Sequence, residues 1–198
     1  MQTLLLLLAL LALVVPMAAA GVPAGGVSAQ ALGQLLREQS AWLAEQSDDP
    51  APELPGVGFE RQPALQQRCF PDFREPLGVR IKGAYDPREA RIYLDAALDL
   101  ATRLDQSYLL HELVHHFQVH RVRFREAEPH DEASEEARSD GARPGVPPAG
   151  AEARSRGRLE GEAYRLQLRW LEHVGVADPL EALGLDDRTL QIIERSLR

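Results

Sequence analysis

The stretch LLHELVHHFQ, from Leu109 to Gln118, places two histidines four residues apart with a glutamate directly after the first. Residues four apart share one face of an α-helix, so His111 and His115 are expected to project side by side and to bind one ion. Glu112 would lie on the flank of that face, where it can hold a water molecule without being a ligand itself. The spacing predicts a zinc site, because imidazole binds zinc well and an open coordination position lowers the pKa of bound water to about 7.

The alternative is a surface helix that carries its histidines by chance. Such a helix should have charged residues between the two histidines, but Leu113 and Val114 stand there. With Leu109 and Phe117 also uncharged, most of this helix can be buried. Burial of two histidines and a glutamate is costly unless a partner such as a metal satisfies them, so the sequence favours the zinc site.

HELVH resembles the active-site helix of the zincin metallopeptidases. The branch with a third histidine six residues after the second does not fit, because that position is Arg121 and its expected glycine is Gln118. The gluzincin branch takes a glutamate from a later helix, often as E-x-x-A, which matches Glu160-Gly161-Glu162-Ala163. The resemblance covers roughly residues 79–172 and is closer to small exported bacterial members than to large peptidases.

The resemblance implies a zinc-dependent hydrolase that cleaves a peptide or protein. Zinc would be bound by His111, His115 and Glu160, and Glu112 would act as the general base. It also implies an edge strand before the active-site helix, along which the substrate lies, and residues 91–94 are the candidate.

Two acids, Glu160 and Glu162, compete for the third ligand position. They are about 200° apart on a helix of 3.6 residues per turn, so only one can face the histidines. The face of Glu160 continues through Ala163, Tyr164, Gln167 and Leu171 without a further formal charge, which suits packing against another helix. The face of Glu162 includes Arg165 and resembles a solvated flank, so Glu160 is the predicted ligand.

Two further residues are candidates for supporting roles. Gluzincins often have an aspartate four residues after the glutamate ligand, whereas this chain has Tyr164. Its phenol could form a hydrogen bond or stabilise an oxyanion, or the ring could simply pack in the core. Gln118, one turn beyond His115, could hydrogen-bond a ligand.

Composition and the N-terminal residues limit the partners. A net charge of −8 over 198 residues argues against a nucleic-acid-binding protein. Residues 1–20 have an apolar run followed by small residues, as in a secretory signal peptide, which predicts a periplasmic or secreted protein. Contact with a membrane is expected only if this segment stays uncleaved. Cys69 is the sole cysteine, so no internal disulfide can form.

The predicted fold is a single α+β, zincin-like domain over residues 21–198. It is mostly helical with a small antiparallel or mixed sheet, and the HExxH helix packs on a second ligand-bearing helix. Residues 125–157, rich in acids, proline and glycine, are predicted to be a mobile insertion. The predicted helices are 29–46, 64–68, 96–105, 106–122, 158–174 and one from Asp186 or Asp187 onward, with strands at 79–84 and 91–94 and a loop at 47–58.

Two other functions remain open from the sequence. The chain could keep the zinc-binding helix as a non-catalytic metal-binding or interaction protein, because a motif does not guarantee activity. A purely structural zinc site is the other alternative, and it would require a fourth protein ligand.

Overall fold

A computed structural model describes residues 26–47, 50–72, 75, 78–127, 149–186, 188–189 and 192. Its elements are α1 (Ala29–Ser47), β1 (Gly56–Glu60), α2 (Gln62–Cys69), β2 (Gly83–Asp86), β3 (Arg91–Asp95), α3 (Arg103–Ala127), α4 (Ala149–His173) and α5 (Pro179–Ala182). This confirms a mostly helical α+β fold with a small mixed sheet. No helix in these ranges is both long enough and apolar enough to cross a bilayer.

The sheet has β3 at its centre. β1 pairs with β3 in parallel, and β2 pairs with β3 in antiparallel orientation on the other side. The prediction that residues 91–94 form an edge strand is therefore wrong, since β3 has a neighbour on both sides. β2 is the strand that packs on α3 at the edge of this sheet.

Two strand predictions need correction. The strand expected at 79–84 is shifted, because β2 begins only at Gly83. β1 lies inside the predicted loop 47–58, whose prolines and glycines indicated irregular structure. A short outer strand needs only one backbone partner, and β3, more than thirty residues later in the chain, supplies it. Local composition cannot reveal such a partner.

α3 is a buried helix and not a surface helix. Leu109, Leu110 and Leu113 are fully buried, and Val114 and Phe117 are nearly so. They form one core with residues of α1, β3 and α4, including Leu43, Ile92, Leu94, Trp170 and Leu171. Core burial of this kind fixes the rotation of α3, and therefore the direction in which its polar residues point.

Residues 96–102 form turns, so the predicted helix 96–105 is wrong. Aspartate side chains accept hydrogen bonds from nearby backbone N–H groups. The carboxylate of Asp95 accepts from the N–H of Ala97, and that of Asp99 accepts from the N–H of Ala101. The backbone N–H of Asp99 donates to the carboxylate of Asp105. These bonds compete with the helical pattern. α3 begins at Arg103, where Thr102 accepts a hydrogen bond from the backbone N–H of Asp105.

The predicted insertion is helical at both ends. α3 continues to Ala127 and α4 begins at Ala149, so the boundaries expected near 122 and 158 are wrong by at least one helical turn. Residues 128–148 and the predicted signal peptide 1–20 lie outside the described residues. α4 ends at His173, close to the predicted end at 174, and Gly175 follows with φ +85°, a conformation that favours glycine and stops the helix. Asp186 accepts a hydrogen bond from the N–H of Thr189, but most of the predicted last helix is outside the described residues.

Candidate metal centre

The packing of α3 against α4 brings His111, His115 and Glu160 together. Nε2 of His111 lies 3.4 Å from one carboxylate oxygen of Glu160, and Nε2 of His115 lies 3.6 Å from the other. One potential ligand atom from each residue lies within 4.8 Å of the other two. The four-residue spacing on α3 therefore meets a carboxylate from α4 at the position that the E-x-x-A match indicates.

The donor set and its dimensions fit zinc. Two imidazoles and one carboxylate are a known catalytic combination for this ion. In a tetrahedral site with metal–ligand distances of about 2.1 Å, neighbouring ligand atoms are about 3.4 Å apart. The two nitrogen–oxygen distances, 3.4 and 3.6 Å, each to a different oxygen of Glu160, are close to that value. In the described part of the chain, no fourth histidine, cysteine or acid joins this group.

Two glutamines orient the histidine rings. Nδ1 of His111 lies 3.0 Å from Oε1 of Gln167, and Nδ1 of His115 lies 2.9 Å from Oε1 of Gln118. An amide oxygen only accepts hydrogen bonds, so each histidine must donate through Nδ1–H. This leaves the lone pair of each neutral ring on Nε2, directed at Glu160. Two lone pairs facing a carboxylate repel one another unless a cation lies between them.

Each glutamine is itself held in place. The amide of Gln167 donates to the hydroxyl of Ser107 on α3, so its oxygen points toward His111. The amide of Gln118 donates to the backbone oxygen of Leu159 and to the carboxylate of Glu162. Both sets of hydrogen bonds link α3 to α4. Gln118 was predicted to hydrogen-bond a candidate ligand, and it accepts a hydrogen bond from His115.

Glu162 does not lie on a solvated flank, contrary to the expectation. Its carboxylate pairs with Arg121 of α3 at 3.0 Å and accepts the hydrogen bond from Gln118. The expectation was wrong because α3 supplies a cation that the sequence of α4 alone does not reveal. Glu162 is not part of the group around Glu160.

The ion-pair geometry shifts the pKa values of two of these groups. When the rings also carry a proton on Nε2, hydrogen bonds from His111 and His115 hold the pKa of the Glu160 carboxyl well below its usual range. Burial alone would lower the pKa of His115, but its contacts with Glu160 and the charge of Glu112 outweigh burial and raise this pKa to about 9. A positive charge between His115 and Glu160 is thus favoured, whether a proton or a metal ion carries it.

Glu112 is buried beside the two histidines, with 8% of its surface exposed. Burial raises the pKa of its carboxyl, against the lowering effect of His111 and His115. It lies against β2, where the backbone of Tyr85 hydrogen-bonds the carboxylate. A Cβ atom on Gly83 would lie 2.7 Å from Cγ of Glu112, so only glycine allows this approach.

Tyr164 lies next to the histidines and contacts one of them through its ring. Its ring meets His111 edge-on, with 4.7 Å between the ring centres. Burial, together with the charges of Glu160 and Glu112, raises its pKa. The side chain is half-buried and lines the cleft, so both a packing role and a role toward substrate remain compatible with its position.

A cleft of about 790 Å³ opens beside this group. One wall is β2 and the residues before it, and the other is formed by α3 and α4. Its lining includes the three candidate ligands, Glu112 and Tyr164, together with Lys82, Gly83, Tyr85, Tyr108 and Gln167. The arrangement can hold a divalent cation, a water molecule next to a buried carboxylate, and an extended ligand along β2.

Sequence reasoning missed the hydrogen bond of Gln167 and the positions of Gly83 and Lys82 at this site. Gln167 shares the helical face of Glu160, and a polar residue on an otherwise apolar face could have indicated a buried hydrogen bond. Gly83 and Lys82 carry no local signal, because their importance depends on the position of β2 against α3.

Two comparisons with known proteins give no match, one with curated proteins and one with solved structures. A family profile, however, matches residues 28–136, more than half of the chain. The match runs from the start of α1 past His111, Glu112 and His115, and stops before Glu160. The chain therefore belongs to the family described as a domain of unknown function, DUF6647.

Proposed function

We propose that this chain is a zinc-dependent peptidase in which Glu112 is the general base. The observation that carries the proposal is the pair of histidine Nε2 atoms that face the carboxylate of Glu160 at 3.4 and 3.6 Å, next to a buried Glu112. The zincin-like arrangement, with an HExxH helix packed on a second ligand-bearing helix, is part of the same proposal.

Each residue has a defined role in the proposed chemistry. Zinc held by His111, His115 and Glu160 would supply a Lewis acid that acidifies water and polarises a carbonyl group. Glu112 accepts the proton of the attacking water and returns it to the nitrogen of the leaving amine. Burial raises the pKa of its carboxyl, which is the direction that suits a group that must both take and give a proton.

The shape of the cleft supports a peptide as the substrate. β2 forms one wall, and in the described residues its only strand partner is β3. An extended peptide can add to such an edge through backbone hydrogen bonds. The scissile bond would then lie between β2 and α3, where Glu112 is located.

An open coordination position supports hydrolysis over a structural zinc site. Structural sites bind zinc with four protein ligands, whereas catalytic sites use three and leave one position for water. Only three potential ligands cluster in the described ranges, and they line a cleft open to solvent.

The test measures zinc and cleavage in the same preparation. The purified chain should contain about one zinc ion per molecule and should cleave an unstructured protein such as reduced, denatured casein. A chelator should abolish cleavage and added zinc should restore it. Bound zinc without any cleavage would favour the non-catalytic alternative, and a chain that binds no zinc would refute the metal site itself.

A further inference from the structure

Lys82 is a cation placed on the wall of the cleft. It is the only lysine in the chain, and it lines the cleft together with Glu112. Its Nζ lies 5.1 Å from the centre of the Tyr108 ring. Tyr108 precedes Glu112 by four residues on α3, so the two are neighbours along one helical face. The ring that the ammonium group contacts therefore lies about one helical turn before Glu112.

The backbone that carries Lys82 is held on both sides. The N–H of Ile81 donates to the side-chain oxygen of Gln62 at 3.0 Å, and the amide of Gln62 donates back to the oxygen of Ile81 at 2.7 Å. The oxygen of Lys82 accepts a hydrogen bond from the N–H of Asp95 at 3.0 Å. A cation on a fixed backbone loses less conformational entropy on binding a ligand than one on a free loop.

The charge of Lys82 is not matched by a carboxylate among the described residues. Arg80, the arginine that lines the cleft, pairs with the buried Asp95. Lys82 instead contacts the face of Tyr108, an interaction that positions an ammonium group without neutralising it. A ligand that enters the cleft with a negative group would supply the missing partner.

We propose that Lys82 binds a carboxylate of the substrate, so that the enzyme prefers peptides with a negative group close to the scissile bond. The carboxylate belongs either to an aspartate or glutamate side chain or to the C terminus of the peptide. The inference rests on the proposed function, because it assigns a substrate feature to the same cleft.

The experiment compares matched fluorogenic peptides with the zinc-loaded protein. In one series a single glutamate is moved along the peptide, and each member has a glutamine counterpart. In the other series the same peptide carries a free or an amidated C terminus. We expect kcat/KM to be about fivefold to tenfold higher for the negative member at the position that reaches Lys82, the scale of one partly exposed charged hydrogen bond.

The charge-reversal variant Lys82→Glu should invert this preference, so that a lysine-containing peptide becomes better than its glutamate counterpart. Such a gain cannot arise from partial unfolding. Arg37→Glu on the exposed surface of α1 changes the net charge equally and should keep the wild-type preference. Equal rates for every charged and neutral pair, or an unaltered preference in Lys82→Glu, would overturn the proposal.

Binding measurements separate this inference from the proposed function. If zinc-loaded protein cleaves none of the peptides, peptidase activity is refuted, but fluorescence anisotropy still measures the Kd of each pair. A Kd ratio of five or more that inverts in Lys82→Glu supports Lys82 as the carboxylate site, and a ratio of one overturns it. A preference seen only in the free-against-amidated series assigns the carboxylate to the chain end, and one seen only in the glutamate series assigns it to a side chain.

Discussion

Glu112 is the residue on which the proposed chemistry depends most directly. Glu112→Gln keeps the volume of the side chain but cannot accept a proton. We expect zinc to remain bound and kcat to fall by about 10² or more, the usual scale for loss of a general base. Peptide hydrolysis and metal analysis on the same sample measure both. Unchanged turnover would remove Glu112 from the mechanism, and loss of zinc would make it a ligand.

Gly83 sets the position of Glu112 without touching a ligand. In Gly83→Ala the new Cβ would lie 2.7 Å from Cγ and 2.9 Å from Oε1 of Glu112, so the carboxylate must move. We expect kcat to fall by about tenfold to a hundredfold with zinc retained, since a displacement of about 1 Å is enough for such a loss.

The matched control for this variant is Gly78→Ala. Among the described residues outside its chain neighbours, no atom lies within 4 Å of a Cβ at Gly78, so this substitution should leave both kcat and the melting temperature near wild type. Equal kcat for the two variants would show that the approach of Glu112 to β2 is irrelevant to turnover.

At the scale of elements, the rotation of α4 decides which acid faces α3. Glu160 lies between the histidines, whereas Glu162 pairs with Arg121. Glu160→Ala should lower zinc affinity by about a hundredfold or more, because it removes one of three ligands. Glu162→Ala should change the affinity by less than about tenfold, since it acts only through Gln118. A metal titration of both variants would contradict the assignment if their effects were reversed.

Some features of the helices and strands could be predicted from the local sequence, and others could not. The His111–His115 spacing and the face of Glu160 follow from helix periodicity alone, and both histidines of α3 meet the predicted acid of α4. β1 and the edge position of β2 depend on pairing with β3, which is a property of distant segments. The same limit applies to Glu162, whose partner Arg121 is on another helix. The turns at 96–102 were mistaken for a helix because side-chain hydrogen bonds to the backbone leave the apolar spacing intact.

At the scale of the whole molecule, bound zinc would link α3 to α4. A ligand that binds only the folded chain stabilises it by about 2.7 kcal/mol at a hundredfold excess over its Kd. For a chain of this size, that corresponds to a rise of about 5–10 °C in melting temperature. Thermal unfolding with zinc and with a chelator measures the difference. The same rise in Glu160→Ala would mean that zinc binds elsewhere.

The residues of this site come from two segments that are far apart in the sequence, and this has a consequence for biosynthesis. The contact between His111 and Gln167 spans 56 residues, and Glu160 lies on the same late helix. A ribosome releases the segment with Glu112 and both histidines well before it releases α4, and contacts between such distant segments form late in folding. A nascent chain therefore carries the proposed base and two of the three proposed ligands without the third. The proposed activity is withheld until α4 has docked, so an unfinished polypeptide cannot attack its neighbours.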